Sequence, residues 1–282
     1  PKPQNPLNDK VVLDIVSHQK KEDRVNYKIT DILKSPIQIV FLLFSIFTLV
    51  MLVPFTSAAI SFIHTSAANA PEGYDFPKFS DFILTGYSSI FFTALQFVAR
   101  KVCYVMFYPF CKTCETEKER EIRSGKAAYN MFKIFYFAGA TAWGFYVLLD
   151  QHFMPKSLGG KGDLLTNWKD FPYQEHPPQL KEYLLVTMGY HVGSLVTHFF
   201  SSRKNDFIEM GFHHIVALYL FGGCYLFNAW NCGSVIALLH DIADITTSVT
   251  KTLAETNYKN LSGVIFIIHM CIWFYTRNWL LP

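Results

Sequence analysis

The sequence has little charge and no concentration of basic residues, and these two shortages exclude several classes of protein. Only 17% of the 282 residues are charged, against roughly a quarter in ordinary soluble domains. The formal net charge is +3, and no basic arm or basic helix face is present, which argues against a nucleic-acid partner. Hydrophobic residues make up 51% of the chain, so a disordered chain is excluded as well.

The cysteines and histidines lack the spacings of common metal sites and disulfide frameworks. Cys111 and Cys114 form one C-x-x-C pair with no second pair nearby. The chain has ten histidines but no HxxHH box and no HxxxH box, the pattern that membrane di-iron hydroxylases and desaturases require. The sequence therefore predicts no bound metal.

Apolar runs of membrane length divide the chain into seven predicted spans. The clearest run, 37–63, has no charged residue over 27 positions, and a transmembrane helix needs about 20. The other six predicted spans are 82–99, 131–149, 183–200, 209–230, 232–250 and 263–281. Seven spans would use about half of the chain, which agrees with its apolar fraction. The predicted fold class is an all-α polytopic transmembrane helical bundle.

Lysine and arginine alternate between the loops and predict an orientation. Segments 1–36 and 100–126 carry seven each, whereas 64–81 carries one and 150–182 carries four. Because cytosolic loops are enriched in these residues, the N-terminus is predicted to be cytosolic. Residues 1–36 then form a cytosolic N-terminal segment, 37–63 the first span and 82–282 a multi-span domain. The sequon at Asn260 would lie on the cytosolic side and stay unglycosylated.

Five ionisable residues fall inside the fifth and sixth predicted spans: His213, His214, His240, Asp241 and Asp244. Such groups cost several kcal/mol at membrane depth unless they pair or face water, so they indicate a functional site. The spacing places His240, Asp241 and Asp244 on one helix face. His213 and Asp244 lie roughly 6 and 9 Å from the cytosolic boundary, so we expect them to meet. An Asp that accepts the Nδ1–H of a His leaves Nε2 as nucleophile or base.

Other interpretations of the polar residues stay open. The five ionisable groups could form a purely structural polar network between two helices. Their order also resembles the soluble HD phosphohydrolases, which bind divalent metals, but a hydrophobic span does not supply the solvated phosphate access that those sites need. His191 and His198 are interpreted as structural or as lining a cavity. His176 is expected in a solvated loop, and His269 as an isolated packing residue.

At these residues the sequence resembles the TLC-domain family, and specifically the acyl-CoA-dependent ceramide synthases with their longevity-assurance motif. The motif residues are Arg203, Lys204, Asp206, Phe207, His213, His214, Asn228, Gly233, His240, Asp241, Asp244 and Lys251. The resemblance covers roughly residues 95–282. Ala217, Asn231 and Ser248 stand where the family usually has Thr, Arg and Glu. The family also continues into at least one more span, so the multi-span domain is expected to lack its final C-terminal span.

The resemblance implies an enzyme, a sphingosine or dihydrosphingosine N-acyltransferase that makes ceramide. On this reading His213 is the nucleophile and Asp244 orients it, while His214, His240 and Asp241 bind or deprotonate the incoming ammonium. The implied substrate-binding residues are Arg203, Lys204, Asn228 and Lys251. Arg203 and Lys204 suit the phosphates of CoA, although the excess of positive charge in cytosolic loops explains them equally well.

The implied partners are fatty acyl-CoA as co-substrate, a sphingoid base and membrane lipids, with no further cofactor. A second copy of the chain or a regulatory membrane subunit remains an open alternative. The resemblance implies the endoplasmic reticulum membrane, with the entrance to the site on the cytosolic side. The main alternative function is a catalytically silent TLC-fold protein that serves as a structural or lipid-binding subunit of a membrane assembly.

Overall fold

The computed structural model of this chain describes residues 36–111, 116–200 and 207–280. Within these ranges the chain forms seven α-helices joined by loops and short helical turns, and no β-strand. In chain order the helices are α1 (Pro36–Ala68), α2 (Phe82–Phe107), α3 (Glu117–Leu148), α4 (Leu180–Phe199), α5 (Phe207–Leu226), α6 (Trp230–Glu255) and α7 (Lys259–Phe274). They correspond one for one to the seven predicted spans, so the predicted all-α helical bundle is confirmed.

Two of the helices are longer than the apolar runs that predicted them. α2 continues through Arg100, where its apolar run stops, and ends at Phe107. α3 begins at Glu117 because the Thr116 side chain caps it, accepting a hydrogen bond from the backbone N–H of Glu119 at 3.2 Å. Hydropathy marks the part of a helix that fits a bilayer, whereas capping marks where the helical backbone starts. The two signals therefore give different bounds.

The surface of the bundle is apolar over much of its area. By length and composition, three helical segments of the described chain could cross a membrane, namely 79–110, 117–148 and 230–255, and a shorter apolar helix covers 210–226. Large apolar side chains are exposed on α1, α2 and α7, among them Val53, Ile90 and Ile267. Large exposed apolar surfaces indicate contact with a membrane or with a partner. Together with the apolar helices, these surfaces are those of a multi-pass membrane protein.

α2 and α4 pack closely because α4 presents two glycines to its neighbour. A Cβ atom at Gly189 would collide with the Ser88 hydroxyl, and one at Gly193 would lie 2.7 Å from the Thr93 hydroxyl. The two glycines are four residues apart, which is the small-x-x-x-small spacing of close helix pairs in membranes. The Thr85 hydroxyl also donates a hydrogen bond to the backbone oxygen of Leu185 at 3.1 Å. These contacts fix α4, which carries His191 and His198.

α6 is the central helix of the bundle and packs most extensively against α3. Gly144 of α3 permits the close approach, since a Cβ there would lie 2.8 Å from the Tyr183 hydroxyl and 3.0 Å from Leu238. Leu238 and Leu239 of α6 are fully buried. The next residues along α6 are His240 and Asp241, so the packing of this helix sets the position of both polar side chains.

Candidate functional site

The histidine pair lies near the start of α5. His213 is exposed at the surface of the bundle and His214 is half-buried, with 5.7 Å between their ring centroids. The ring of His198, at the end of α4, is 5.8 Å from that of His214. A carbonyl oxygen can only accept, so the Nε2–H of His198 donates to the Phe207 backbone oxygen, at 2.8 Å. This bond joins the end of α4 to the start of α5.

His191 of α4 and His240 of α6 complete a group of imidazoles around the pair. His191 stacks on Phe221 of α5 with 5.3 Å between ring centroids. It interacts electrostatically with His214, His213 and His240. We call His191, His198, His213, His214 and His240 the histidine cluster. Three consecutive helices, α4, α5 and α6, bring these five side chains together in the same half of the bundle.

His240 has a defined tautomer in this arrangement. Its Nδ1 lies 2.8 Å from the backbone oxygen of Ile236. Because that oxygen can only accept, Nδ1 carries the proton and Nε2 of the neutral ring carries the lone pair. A ring fixed in this way keeps an acceptor nitrogen at Nε2. His240 is therefore built to take a proton at Nε2.

The contact expected between His213 and Asp244 is not formed. Both side chains are described, and no hydrogen bond joins them; Asp244 instead lies 3.7 Å from the Arg277 guanidinium. Arg277 follows α7 in a single π-helical turn, Tyr275–Trp279, and it stands beside α6 as a fully charged partner. A guanidinium stabilises a carboxylate in an apolar environment more strongly than a neutral imidazole does. For this reason Asp244 pairs with Arg277.

Asp241 occupies a separate part of the site from His240 and Asp244. It is 2% exposed and interacts electrostatically with three tyrosines of α3 and α4, Tyr136, Tyr183 and Tyr190. Neither Asp241 Oδ2 nor the Tyr183 hydroxyl has a hydrogen-bond partner among the described residues. His240, Asp241 and Asp244 therefore do not share one helix face as their spacing predicts. Adjacent residues point about 100° apart around a helix, so Asp241 faces a different neighbour from His240.

Two of the four predicted substrate-binding residues are described, and these two lie at opposite ends of the bundle. Arg203 and Lys204 are outside the described residues. Lys251 is exposed in the penultimate turn of α6, at the same end of the bundle as the histidine cluster. Asn228 lies between α5 and α6 at the other end, about 22 Å along α5 from His213. The structure therefore does not bring Asn228 together with the predicted catalytic residues.

Asn228 belongs to a second polar group, which we call the loop network: Tyr74, Gln174, His176, Asn228 and Asn231. The Asn228 amide donates to the Tyr74 hydroxyl at 2.6 Å and to the Pro172 backbone oxygen at 2.5 Å. The Tyr74 hydroxyl donates to the backbone oxygen of Gln174 at 2.8 Å. Asn228 is fully buried and has a positive φ of 61°, a conformation that Asn tolerates better than most residues.

His176 is half-buried within the loop network, so the expectation of a solvated loop residue is wrong. Its ring stacks on Trp230 at 4.3 Å, and its Nε2 and Nδ1 lie 3.1 and 3.2 Å from the amide oxygens of Asn228 and Asn231. The Asn228 amide nitrogen is already committed, so Nε2–H must donate to its oxygen. Asn231 Nδ2, which is buried and lacks a partner, can donate to Nδ1 once its amide is turned. Burial lowers the pKa of His176, although the two asparagine contacts act in the opposite direction.

Sequence reasoning also missed or misplaced other residues. His269 is not isolated, because its Nδ1 bonds the Thr246 hydroxyl at 3.0 Å and so links α7 to α6. Lys133 of α3 interacts electrostatically with His214 and His191, and the sequence prediction did not include it. A lysine inside the apolar run 131–149 is a signal of the same kind as His240 in α6. Arg277 had no local signal, because its partner Asp244 comes from another helix.

In the described part of the chain, no three His, Cys, Asp or Glu side chains come together in an arrangement that could hold a metal ion. The polar groups of the site are instead imidazoles in electrostatic contact, an ion pair and a buried carboxylate. Imidazoles with an available nitrogen can act as nucleophile and as base. The arrangement can therefore support acyl transfer.

Comparison with known proteins agrees with this chemistry. The model of the TLC domain family matches residues 126–282, more than half of the chain. The chain is 31% identical over 115 residues to ceramide synthase 4 of Bos taurus, covering 41% of this chain and 29% of that protein. It is 22% identical over 212 residues to ceramide synthase hyl-2 of Caenorhabditis elegans, covering 73% of this chain and 62% of that protein.

A fungal protein with a related name is also similar. Over 149 residues the chain is 28% identical to sphingosine N-acyltransferase lac1 of Schizosaccharomyces pombe, covering 51% of this chain and 36% of that protein. The chain thus spans less than a third of the length of ceramide synthase 4 from Bos taurus. All three similarities support the predicted resemblance to ceramide synthases.

Proposed function

The chain belongs to the TLC-domain family, and we propose that it is an N-acyltransferase that transfers a fatty acyl group from CoA to the amine of a sphingoid base. The observation that carries the proposal is the histidine cluster, which joins three helices in an otherwise apolar bundle. Similarity to proteins named ceramide synthase and sphingosine N-acyltransferase supports the same reaction and the same substrates. Membrane lipids would surround the site as solvent for both acyl chains.

The first step proposed is attack by the His213 imidazole on the thioester carbonyl. A C–N bond forms to the ring, the C–S bond breaks, and CoA leaves as its thiolate, which takes up the N–H proton that the acylated ring releases. Neutral imidazole is a competent nucleophile towards a thioester. His213 suits this role because it is exposed at the surface of the cluster, where a long substrate can reach it.

The second step proposed is transfer of the acyl group from His213 to the amine. The acceptor arrives as an ammonium and must lose a proton before it can attack. His240 is suited to take that proton at Nε2, since Nδ1–H is held by the Ile236 backbone oxygen. The new amide C–N bond forms as the C–N bond to His213 breaks, and one of the two remaining amine protons passes to the ring nitrogen that His213 regains. His214 and Asp241 remain proposed as groups that bind the acceptor, and Asp244 acts with Arg277 rather than alone.

We further propose that the protein lies in the endoplasmic reticulum membrane with its N-terminus and the entrance to the site facing the cytosol. The distribution of Lys and Arg supports this orientation. Sequons introduced singly at positions 160–165 would then be glycosylated in microsomes, and the natural one at Asn260 would not. Glycosylation of Asn260 with none at 160–165 would reverse the orientation.

An assay with purified protein in nanodiscs tests the reaction. We expect labelled palmitoyl-CoA and dihydrosphingosine to give ceramide with wild-type protein, and none above background with His213→Ala. The matched control is His152→Ala, because His152 is also exposed but lies in the loop 149–179. Absence of ceramide with the wild type, under conditions where the protein is folded, would favour the silent structural or lipid-binding subunit.

A further inference from the structure

Two cations flank one tyrosine close to the histidine cluster. The Nζ of Lys133 lies 4.6 Å from the centroid of the Tyr129 ring, and the Cζ of Arg100 lies 5.4 Å from it. Lys133 and Tyr129 are one turn apart on α3, and Arg100 comes from α2. The Tyr129 hydroxyl is also in polar contact with Lys133 and with Gln96, which is buried. The tyrosine therefore holds the two cationic side chains near each other.

Lys133 and Arg100 differ from three cations in the first part of α3. Arg120, Arg123 and Lys126 have carboxylate oxygens of Glu117, Glu119 and Glu255 at 4.0, 3.2 and 3.7 Å. In contrast, neither Lys133 nor Arg100 has a carboxylate within 4.0 Å in the part of the chain that the structure describes. Charge pairing along α3 thus stops two turns, roughly 10 Å, before Lys133.

Lys133 is the less accessible of the two cations, and it is the one whose charge reaches the histidine cluster. Its side chain is half-buried, and its charge acts on His214 and His191. A cation in an apolar span is costly unless it pairs or reaches water. Cation–π contact with Tyr129 offsets only part of this cost. The remaining cost favours an anion as a ligand of the free protein.

The anion must reach both cations and lie beside the nucleophile. The acyl donor of the proposed reaction carries its thioester on a chain that also bears phosphates. Phosphate oxygens form charge-assisted hydrogen bonds with both Lys and Arg. If the thioester is at His213, the CoA phosphates extend from the cluster towards the charged end of the bundle. Arg100 is exposed on α2, and the Tyr129 ring lies within reach of both Arg100 and Lys133.

We propose that Lys133 and Arg100, held by Tyr129, form the subsite that binds phosphates of the CoA part of the acyl donor. This inference rests on the proposed function and assigns to it two binding residues outside the motif segment 203–251. Lys133 binds on the side of the histidine cluster, and Arg100 binds on the exposed side. Phospholipid head groups carry the same phosphate chemistry, so the test must separate the two sources.

The test compares Lys133→Met, Arg100→Gln and the control Lys126→Met in phosphatidylcholine nanodiscs. Each is assayed with palmitoyl-CoA and with palmitoyl-N-acetylcysteamine, a thioester without phosphate. We expect the ratio of kcat/KM for the CoA donor to that for the phosphate-free donor to fall roughly tenfold or more in the first two variants. The control should keep the wild-type ratio, since Lys126 already pairs with Glu255. An unchanged ratio in both variants overturns the proposal.

Direct binding separates this proposal from the proposed function. Unacylated CoA is titrated onto each protein without acceptor, in nanodiscs of phosphatidylcholine alone and with added phosphatidylglycerol. We expect wild type and Lys126→Met to bind CoA, and the two subsite variants to bind it at least about tenfold more weakly. Equal CoA affinity in all four proteins overturns the subsite but leaves acyl transfer standing. Wild type that neither binds CoA nor makes ceramide overturns both.

The same variants also distinguish a lipid head group from CoA as the ligand. If the variants keep CoA affinity but lose a dependence of thermal stability on phosphatidylglycerol, the cations bind a lipid head group and the proposal is wrong. If Lys133→Met does not fold, the CoA affinities of Lys133→Arg and Arg100→Gln test the proposal instead. Lys133→Arg keeps the charge and should retain CoA binding, whereas Arg100→Gln changes only an exposed side chain and should still weaken it.

Discussion

The loop network and the histidine cluster are two groups of polar side chains in different parts of the bundle. They differ in how far their side chains are hydrogen-bonded. In the loop network, Asn228 and His176 satisfy one another and nearby backbone, and Trp230 covers the imidazole. In the histidine cluster, the His213 side chain forms no hydrogen bond with another described residue, and the bond at Nδ1 of His240 leaves its Nε2 as an acceptor. The difference supports the proposal that the loop network stabilises the fold and that the histidine cluster carries the reaction.

The largest effect is expected from the nucleophile. His213→Ala should lower the rate of ceramide formation by about 10³-fold or more, since loss of a nucleophile removes the covalent route. The thermal midpoint should stay within about 2 °C, because an exposed side chain contributes little to stability. Turnover and the thermal midpoint are measured on the same nanodisc sample. A large fall in the midpoint would make His213 a structural residue.

The reverse pattern is expected at Asn228. Asn228→Ala should destabilise the protein by about 2–4 kcal/mol, because it leaves buried partners unsatisfied and places Ala at a positive φ. Surviving folded protein should keep its specific activity, since Asn228 is about 22 Å from His213 along α5. Asn69→Ala, an exposed change just after α1, serves as the control. A stable variant with a raised KM for sphingoid base would instead support the predicted substrate-binding role.

A smaller effect is expected at the ion pair beside the cluster. Arg277→Gln removes the cation that holds Asp244, so the rate should fall by about tenfold through misplacement rather than loss of a reacting group. Arg277→Lys should recover part of the rate, because it restores the charge. Arg277 is a positioning residue on this account. Full activity of Arg277→Gln would show that the pair with Asp244 is dispensable.

The smallest effect is expected from protonation of His176. Its pKa is lowered in the folded protein relative to the ordinary value of 6.5, mainly by burial, so the unfolded chain takes up a proton first as the pH falls. The contribution of neutral His176 to the free energy of unfolding is fully present above pH 6.5. This contribution is lost as the pH falls through the folded-state pKa of His176. The thermal midpoint should drop between pH 7.5 and 5.5, and less so in His176→Gln. Identical drops would assign the effect to other groups.

The sequence predicts the helices well because they depend on local signals, and the same kind of signal marks the candidate site residues. A long apolar run such as 37–63 can only be a span or a buried helix, and ionisable residues such as His240 stand out against apolar neighbours. The partners of these groups are not local. Asp244 was expected to orient His213, but Arg277 from beyond α7 binds it. Which of these two residues contacts Asp244 depends on how α6 and α7 pack.

The loop network was missed for the same reason. His176 lies in a stretch rich in Pro and charge, which is typical of a solvated loop. Its partners Asn228 and Asn231 lie 52 and 55 residues further along the chain. Asn231, which the resemblance marked as a departure from the family, is buried and contacts His176. A departure in sequence thus has a structural role at the end of the bundle away from the predicted catalytic residues.

The most direct test of acyl transfer is to trap the acyl group on the protein. Purified protein is incubated with labelled palmitoyl-CoA without acceptor, and the covalent label is located by peptide mass spectrometry. We predict that His213 carries the label and that added dihydrosphingosine discharges it as ceramide. Wild-type protein that makes ceramide without ever holding a label, or a label on another residue that survives in His213→Ala, would contradict the account.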